Sequence, residues 1–156
     1  MKKGKTNAMR ILDKEGIEYS MLTYRTDDGN IDGVSVAQKI GKDGVYKTLV
    51  SQGSSKEYYV FVIPVEEELD LKKAAKTAGE KKIEMIPVKE ITKVSGYIRG
   101  GCSPIGMKKL FPTFIDKKAQ DLEAIIISGG SIGLQIEMKL ENLIEVINAK
   151  IADLIK

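Results

Sequence analysis

The sequence predicts a mixed α/β fold, a mixed sheet or barrel flanked by helices, and three observations carry that reading. Apolar runs of strand length alternate loosely with stretches of helical period. Several neighbouring runs are linked by short glycine- and serine-bearing segments, as in hairpins. A strict parallel doubly wound sheet, which needs a crossover between successive strands, is disfavoured by those short links. The 156 residues, 42% apolar and 30% charged, suffice for one compact core, so a single domain over 1–156 is expected.

The elements follow in order. Thr6 is a suitable N-cap for a short amphipathic helix carrying Ala8, Met9, Ile11 and Leu12 and ending at Gly16. Glu18 to Arg25 reads as a strand, and Asp27-Asp28-Gly29-Asn30 as a turn. Ser35 is placed to cap a second helix through Val36, Ala37 and Ile40, stopped by Gly41. Tyr46–Val50 and Tyr58–Ile63 form a strand pair joined through Gly53-Ser54-Ser55. Asp70 caps a helix reaching Ala78, with Gly79 at its end. Ile83–Ile86 is a short strand closed by Pro87, and Val88–Val94 is helical. Thr113–Ile115, Ala124–Ile127 and Leu134–Met138 have strand character. Leu143, Val146, Ile147, Ile151 and Leu154 recur at helical spacing, which predicts a terminal helix.

Composition narrows the chemistry. There is no histidine, so any reaction must do without the commonest general base and metal ligand. With one cysteine, Cys102, no internal disulfide is possible, which fits a reducing compartment. Metal catalysis is disfavoured, because Glu66-Glu67-Glu68 reads as a solvated run before a capped helix. No cofactor is expected, since the glycine-rich segments match neither a Walker loop nor a dinucleotide fingerprint. No apolar run approaches the roughly 20 residues that span a bilayer, and the basic start Met1-Lys2-Lys3-Gly4-Lys5 lacks an apolar leader core, so a cytoplasmic protein is expected. The net charge of +3 is mild. Lys72, Lys73, Lys76, Lys81 and Lys82, and a second group of Lys108, Lys109, Lys117 and Lys118, read either as solvated faces or as a track for a phosphate backbone.

The densest feature is Gly96-Tyr97-Ile98-Arg99-Gly100-Gly101-Cys102-Ser103-Pro104-Ile105-Gly106, with four glycines and a proline in eleven residues. Adjacent Gly100 and Gly101 leave main-chain N–H groups without side-chain cover, where an anion or a polarised carbonyl can dock. Lys47 lies inside an apolar strand and either points to solvent or lines a cleft. Tyr24 is open to core, rim or ligand roles, and Ser128-Gly129-Gly130 is a tight turn unless it lies beside the first glycine loop.

Taken together, Leu22-Thr23-Tyr24, Val45 to Leu49, Leu69 to Lys76, Lys81 to Met85, Gly96 to Gly106, Pro112 to Asp116 and Ser128-Gly129-Gly130 resemble, in order and spacing, the YbaK/EbsC family of aminoacyl-tRNA deacylases, relatives of the prolyl-tRNA synthetase editing domain. The resemblance implies the YbaK/prolyl-tRNA-synthetase-associated fold, a barrel-like mixed sheet flanked by helices. It implies trans-editing of mischarged tRNA, most typically removal of cysteine from proline tRNA, with transient association with prolyl-tRNA synthetase. A monomer is the default. Lys47 matches the family's functional lysine, Tyr24 a pocket tyrosine, and Gly100-Gly101 the glycine pair facing the ester. Thr48, Ser128, Gly129, Gly130 and Gln135 complete the substrate-binding candidates. Gln135 is a departure, because the family commonly has Gly-Leu-Asp where this chain has Gly133-Leu134-Gln135. Cys102 also replaces a usual aliphatic residue.

An aminoacyl ester is already activated. Lys47, Gly100 and Gly101 therefore need only hold it and stabilise the oxyanion; the resemblance suggests the cysteinyl thiol itself as the attacking group, with a tRNA ribose hydroxyl or a water as alternatives. Two other readings are compatible with the sequence: a module that binds aminoacyl-tRNA or a nucleotide without turnover, and an adaptor that docks on a synthetase.

Overall fold

The computed structural model describes residues 5–156; the first four residues of the basic opening run lie outside them. Helix α1 (Asn7–Lys14) begins where Thr6 accepts a bond from the Met9 N–H. Its Ala8, Met9 and Leu12 are buried, as their i, i+4 spacing requires. Strand β1 (Ser20–Thr23) is shorter than the sequence suggests. Helix α2 (Gly33–Ile40) starts two residues before the expected cap, because Asp32, and not Ser35, accepts the orphan N–H, that of Ser35 itself. Strands β2 (Tyr46–Gly53) and β3 (Tyr58–Pro64) form the expected antiparallel pair. Helix α3 (Leu71–Ala78) has Asp70 at its start and left-handed Gly79 at its end. Strand β4 (Ile83–Met85) leads into a helical stretch that splits into a 3₁₀ turn (Val88–Glu90) and α4 (Ile91–Ser95). Strands β5 (Thr113–Asp116), β6 (Ala124–Ser128) and β7 (Leu134–Lys139) then precede α5 (Leu140–Ile147) and β8 (Lys150–Ala152).

The strands form two sheets. One is antiparallel, ordered β1-β7-β6; the other is mixed, ordered β4-β2-β3-β5-β8. A parallel bridge between Val45 and Ile126 joins them. Among the described residues the sheets stay open, so the mixed sheet flanked by helices is found but not a closed barrel. The main core holds Ile125, Ile127 and Ile136 of the small sheet, Val62 and Ile115 of the large one, and Leu12 of α1. The large sheet's other face packs Phe61 and Ile63 under α3, and the Phe61 and Phe114 rings stack 5.7 Å apart.

The tail departs from expectation. The chain leaves α5 at Asn148, whose left-handed φ of 51° is one that asparagine tolerates, and Lys150–Ala152 pairs in parallel with β5. Ile151 and Leu154 continue the helical spacing, but the free edge of β5 offers backbone partners that a longer helix would leave unsatisfied. The buried Asp116 carboxylate fixes this strand by accepting from the Leu154 N–H (2.9 Å) while capping Lys118.

Candidate active site

The Gly96–Gly106 loop is rigid for local reasons. Helix α4 stops at left-handed Gly96, and the Tyr97 hydroxyl donates across the loop to the Ile105 carbonyl at 2.6 Å. A tight turn runs from Ile98 to Gly101, closed by the Gly101 N–H donating to the Ile98 carbonyl at 3.0 Å. Gly100 occupies its third position with φ +87°, where a side chain would be strained. This loop lies against the second glycine turn, since a Cβ on Gly101 would sit 2.9 Å from the Ser131 backbone.

Six sequence-predicted residues line one cleft of about 120 Å³: Tyr24, Lys47, Thr48, Gly100, Ser128 and Gln135. Strand register brings several of them together. Gln135 pairs with Leu22 on one side and Ser128 on the other, so all three project from one face of the small sheet, and Tyr24 continues the Leu22 row. Lys47 and Thr48 arrive on β2, just beyond the Val45–Ile126 bridge. The lysine's two open alternatives thus resolve in favour of the cleft, and it is half-buried there.

The other three predicted residues do not line the cleft. Gly101 faces the Ser131 backbone, and its N–H is committed to Ile98, which removes it as an oxyanion donor. Gly129 backs onto Leu134, and Gly130 onto Tyr97 and Thr6. Their smallness lets the two glycine turns and the start of α1 approach each other. The Thr6 hydroxyl also donates to the Gly129 carbonyl at 2.6 Å, tying α1 to the turn.

Ile31 and Cys102 are among the cleft-lining residues that the sequence reading left out of the site. Ile31 reaches over Gly100, with its Cδ1 3.0 Å from where a Gly100 Cβ would be. Its mark in the sequence is an apolar residue isolated in a polar loop. Cys102 also lines the cleft; burial pushes its thiol up, away from the reactive thiolate. Among the described residues, the N–H groups of Gly100 and Cys102 donate to nothing. The loop carrying Ile31 is held by Lys39, whose ammonium donates to the carbonyls of Arg25 (2.6 Å) and Asn30 (2.8 Å) and to Asp28 Oδ1 (2.8 Å). The same ammonium stands 5.9 Å over the Tyr24 ring.

The polar balance of the cleft is unusual. Among the described residues Lys47 has no carboxylate within ion-pair distance and no hydrogen-bond acceptor, and no acidic residue lines the cleft. Three buried side-chain atoms there lack any hydrogen-bond partner: Tyr24 Oη, Thr48 Oγ1 and Gln135 Oε1. Folds rarely leave such atoms orphaned, so their concentration at one place marks a site built for a polar ligand. A larger groove of about 520 Å³ adjoins, sharing Ile31, Gly33, Thr48, Gly100 and Cys102 and extending past Met85, Ile86 and Ile91 to Arg99.

The aminoacyl-tRNA editing domain family matches residues 31–146, a span that contains every element of the cleft but Tyr24. The chain belongs to that family and is by that membership an aminoacyl-tRNA deacylase, an editing hydrolase. Among its relatives is EbsC of Enterococcus faecalis, a candidate Cys-tRNA(Pro)/Cys-tRNA(Cys) deacylase, 43% identical over 152 residues covering 96% of this chain and 93% of that one. The fold recurs in a candidate trans-editing enzyme for prolyl tRNA synthetase (TM-score 0.83, 21% identity, 99% of each chain covered). It recurs again in a hypothetical protein of known structure (TM-score 0.86, 19% identity, 96% of this chain and 99% of that one). No helix among the described residues is long and apolar enough to cross a membrane.

Proposed function

We propose that the cleft clears cysteine from proline tRNA, with Lys47 as the positioning cation and the substrate's own thiol as nucleophile. The observation that carries this reading is the Lys47 ammonium, without a partner among the described residues, in a cleft that has three orphaned polar atoms and is lined there by neither histidine nor carboxylate. Such a cleft has strong hydrogen-bonding capacity and no protein base, which suits a substrate that brings its own attacking group. The likeness to EbsC supports the choice of cysteine.

In the proposed step the aminoacyl end enters the small cleft and the terminal nucleoside occupies the adjoining groove, with Arg99 near its phosphate. The cysteinyl sulfur attacks its own ester carbonyl. A C–S bond forms, the ester C–O bond breaks, and the ribose hydroxyl leaves with the proton released by the thiol. The product is a cyclic thiolactone and free tRNA. Intramolecular attack is efficient without a protein base, because the translational entropy is already spent in the ester. The N–H groups of Gly100 and Cys102, with Lys47, meet the developing oxyanion; Cys102 takes the donor place first expected of Gly101. Ser128 walls the cleft beside Gln135. The modest charge of +3 fits a monomer that borrows part of its tRNA recognition through a transient complex with prolyl-tRNA synthetase.

The test is a deacylation time course on cysteinyl-, alanyl- and seryl-tRNA(Pro), against a no-enzyme control, with products analysed by mass. Rapid loss of cysteine alone, as thiolactone, is the expected result. Lys47→Ala should slow it about a hundredfold, the scale of losing an oxyanion donor. Loss no faster than the control makes the protein a binding module, and a wild-type rate in Lys47→Ala removes the mechanism.

A further inference from the structure

We propose that Tyr24 Oη, Thr48 Oγ1 and Gln135 Oε1 form an acceptor face that holds the α-amino group of the esterified amino acid. The inference rests on the deacylase reading above and adds which part of the substrate the enzyme recognises.

The cleft carries two kinds of hydrogen-bonding group. Its donors are the Lys47 ammonium and the N–H groups of Gly100 and Cys102, for none of which an acceptor is found among the described residues. The three orphaned oxygens are the others. The Gln135 carbonyl oxygen can only accept, and the two hydroxyls can accept as well as donate. An aminoacyl ester divides in the same way. Its carbonyl and ribose ester oxygens are acceptors and match the donors. Its α-amino group is a cluster of donors and matches the oxygens. A thiol is a weaker donor and supplies a single hydrogen, which leaves at least two of the three oxygens unsatisfied.

Topology supports a common target. Gln135 is buried and sits beside Leu22 in the ladder, Tyr24 follows two residues on, and the Tyr24 N–H donates to the Gly133 carbonyl at 3.1 Å. Thr48 comes from β2, which the Val45–Ile126 bridge ties to β6, the strand that pairs with Gln135 through Ser128. Among the described residues no group is hydrogen-bonded to these atoms. The neighbouring ammonium of Lys39 is already bound to the 25–30 loop. A neutral acceptor face also explains how an amine can lodge in a cleft that already holds Lys47: its donors are satisfied without a second charged partner.

The experiment compares cysteinyl-tRNA(Pro) with 3-mercaptopropionyl-tRNA(Pro), which keeps the thiol and lacks the amine. Each is followed under single-turnover conditions and corrected for uncatalysed loss. Wild-type enzyme should clear the des-amino ester at least tenfold less efficiently in kcat/KM. Gln135→Leu should bring the cysteinyl substrate down by a similar factor while slowing the des-amino ester much less, so that the ratio of the two rates falls towards one; Thr48→Val, nearly isosteric, should show the same narrowing if Gln135→Leu folds poorly. Equal clearance of both esters by the wild type, or an equal slowing of both by each variant, overturns the acceptor face and leaves the deacylase reading standing. Clearance of neither ester removes the deacylase reading, and the inference with it.

Discussion

Replacing Gly101 with alanine tests whether the two glycine turns must touch for the cleft to work. The backbone of Gly101 lies outside the positive-φ region, so alanine meets no dihedral penalty there. The cost is steric. The added Cβ would lie 2.9 Å from both the Ser131 Cα and carbonyl carbon and 3.0 Å from the Ile132 nitrogen. Ordinary carbon contacts begin at about 3.5 Å, so the turns must separate by roughly half an ångström. The obstructing atoms are backbone and cannot swing aside. Overpacking of this kind costs about 1–3 kcal/mol, and for a chain of this size each kcal/mol lowers Tm by about 2–4 °C. The same displacement moves Gly100 and Cys102, which line the cleft. A misplacement of about 1 Å can cost a hundredfold in rate, so half of that predicts about a tenfold fall in kcat. Thermal unfolding and single-turnover deacylation of cysteinyl-tRNA(Pro) read the two effects separately. A variant with unchanged Tm and rate would show that the turns are not in the contact described, and the oxyanion geometry would fall with it.

Two further outcomes follow from other parts of the fold. Lys39→Met removes three donated bonds from the Arg25–Asn30 loop and should loosen Ile31 over Gly100, raising KM more than it lowers kcat; amide exchange in residues 25–31 should quicken, and unchanged exchange would count against the clamp. Stability should fall as pH rises through the alkaline range. Burial raises the Cys102 thiol and pushes the Tyr97 phenol up to about 12, so above the ordinary ranges of about 8.5 and 10 the unfolded chain releases protons that the native one retains. Denaturant titrations should show that decline beginning near pH 8.5 and steepening above pH 10, and a Cys102→Ala chain should lose the earlier part of it.

Much of the fold was legible because its signals are local. Thr6, Asp70, Gly41 and Gly79 sit at the ends of helices for reasons confined to one turn of backbone, and the β2–β3 pair announces itself through two apolar runs and a serine-glycine turn. The tail was not legible, because Ile151 continues the helical period of α5 as well as it fits a short strand that completes the edge of β5; only the tertiary neighbour decides. The site divides along the same line. Lys47 stood out as a charge in an apolar strand and Gly100 as part of a glycine pair, while Thr48 and Gln135 entered only through the family resemblance. Their importance comes from burial without a partner, which arises when two sheets and a loop close around them. Gly101 misled for the converse reason. Its composition advertised a free N–H, but a four-residue turn had already committed that group to Ile98.

A protein without histidine can be an esterase when its substrate carries the nucleophile. A catalyst that supplies its own base is limited by that base's pKa and by the precision with which it meets the nucleophile. On the proposed mechanism this cleft supplies neither base nor nucleophile. It offers the Lys47 cation, the Gly100 and Cys102 amides on a loop braced by the Tyr97–Ile105 bond, and oxygens without a partner among the described residues. The proposed rate is then set by how well a substrate can attack itself once its ester is polarised. Cysteine has a soft nucleophile one carbon from the α-position; serine's hydroxyl is far less acidic, and alanine has none. Selection among three amino acids of nearly equal size therefore need not come from the pocket's shape, which discriminates small differences poorly, but from reactivity. The consequence is specific: alanyl-tRNA(Pro) should bind with a KM close to that of cysteinyl-tRNA(Pro) and compete with it as an inhibitor, while being turned over slowly. An inhibition constant far above the cysteinyl KM would return the burden of specificity to the walls of the cleft.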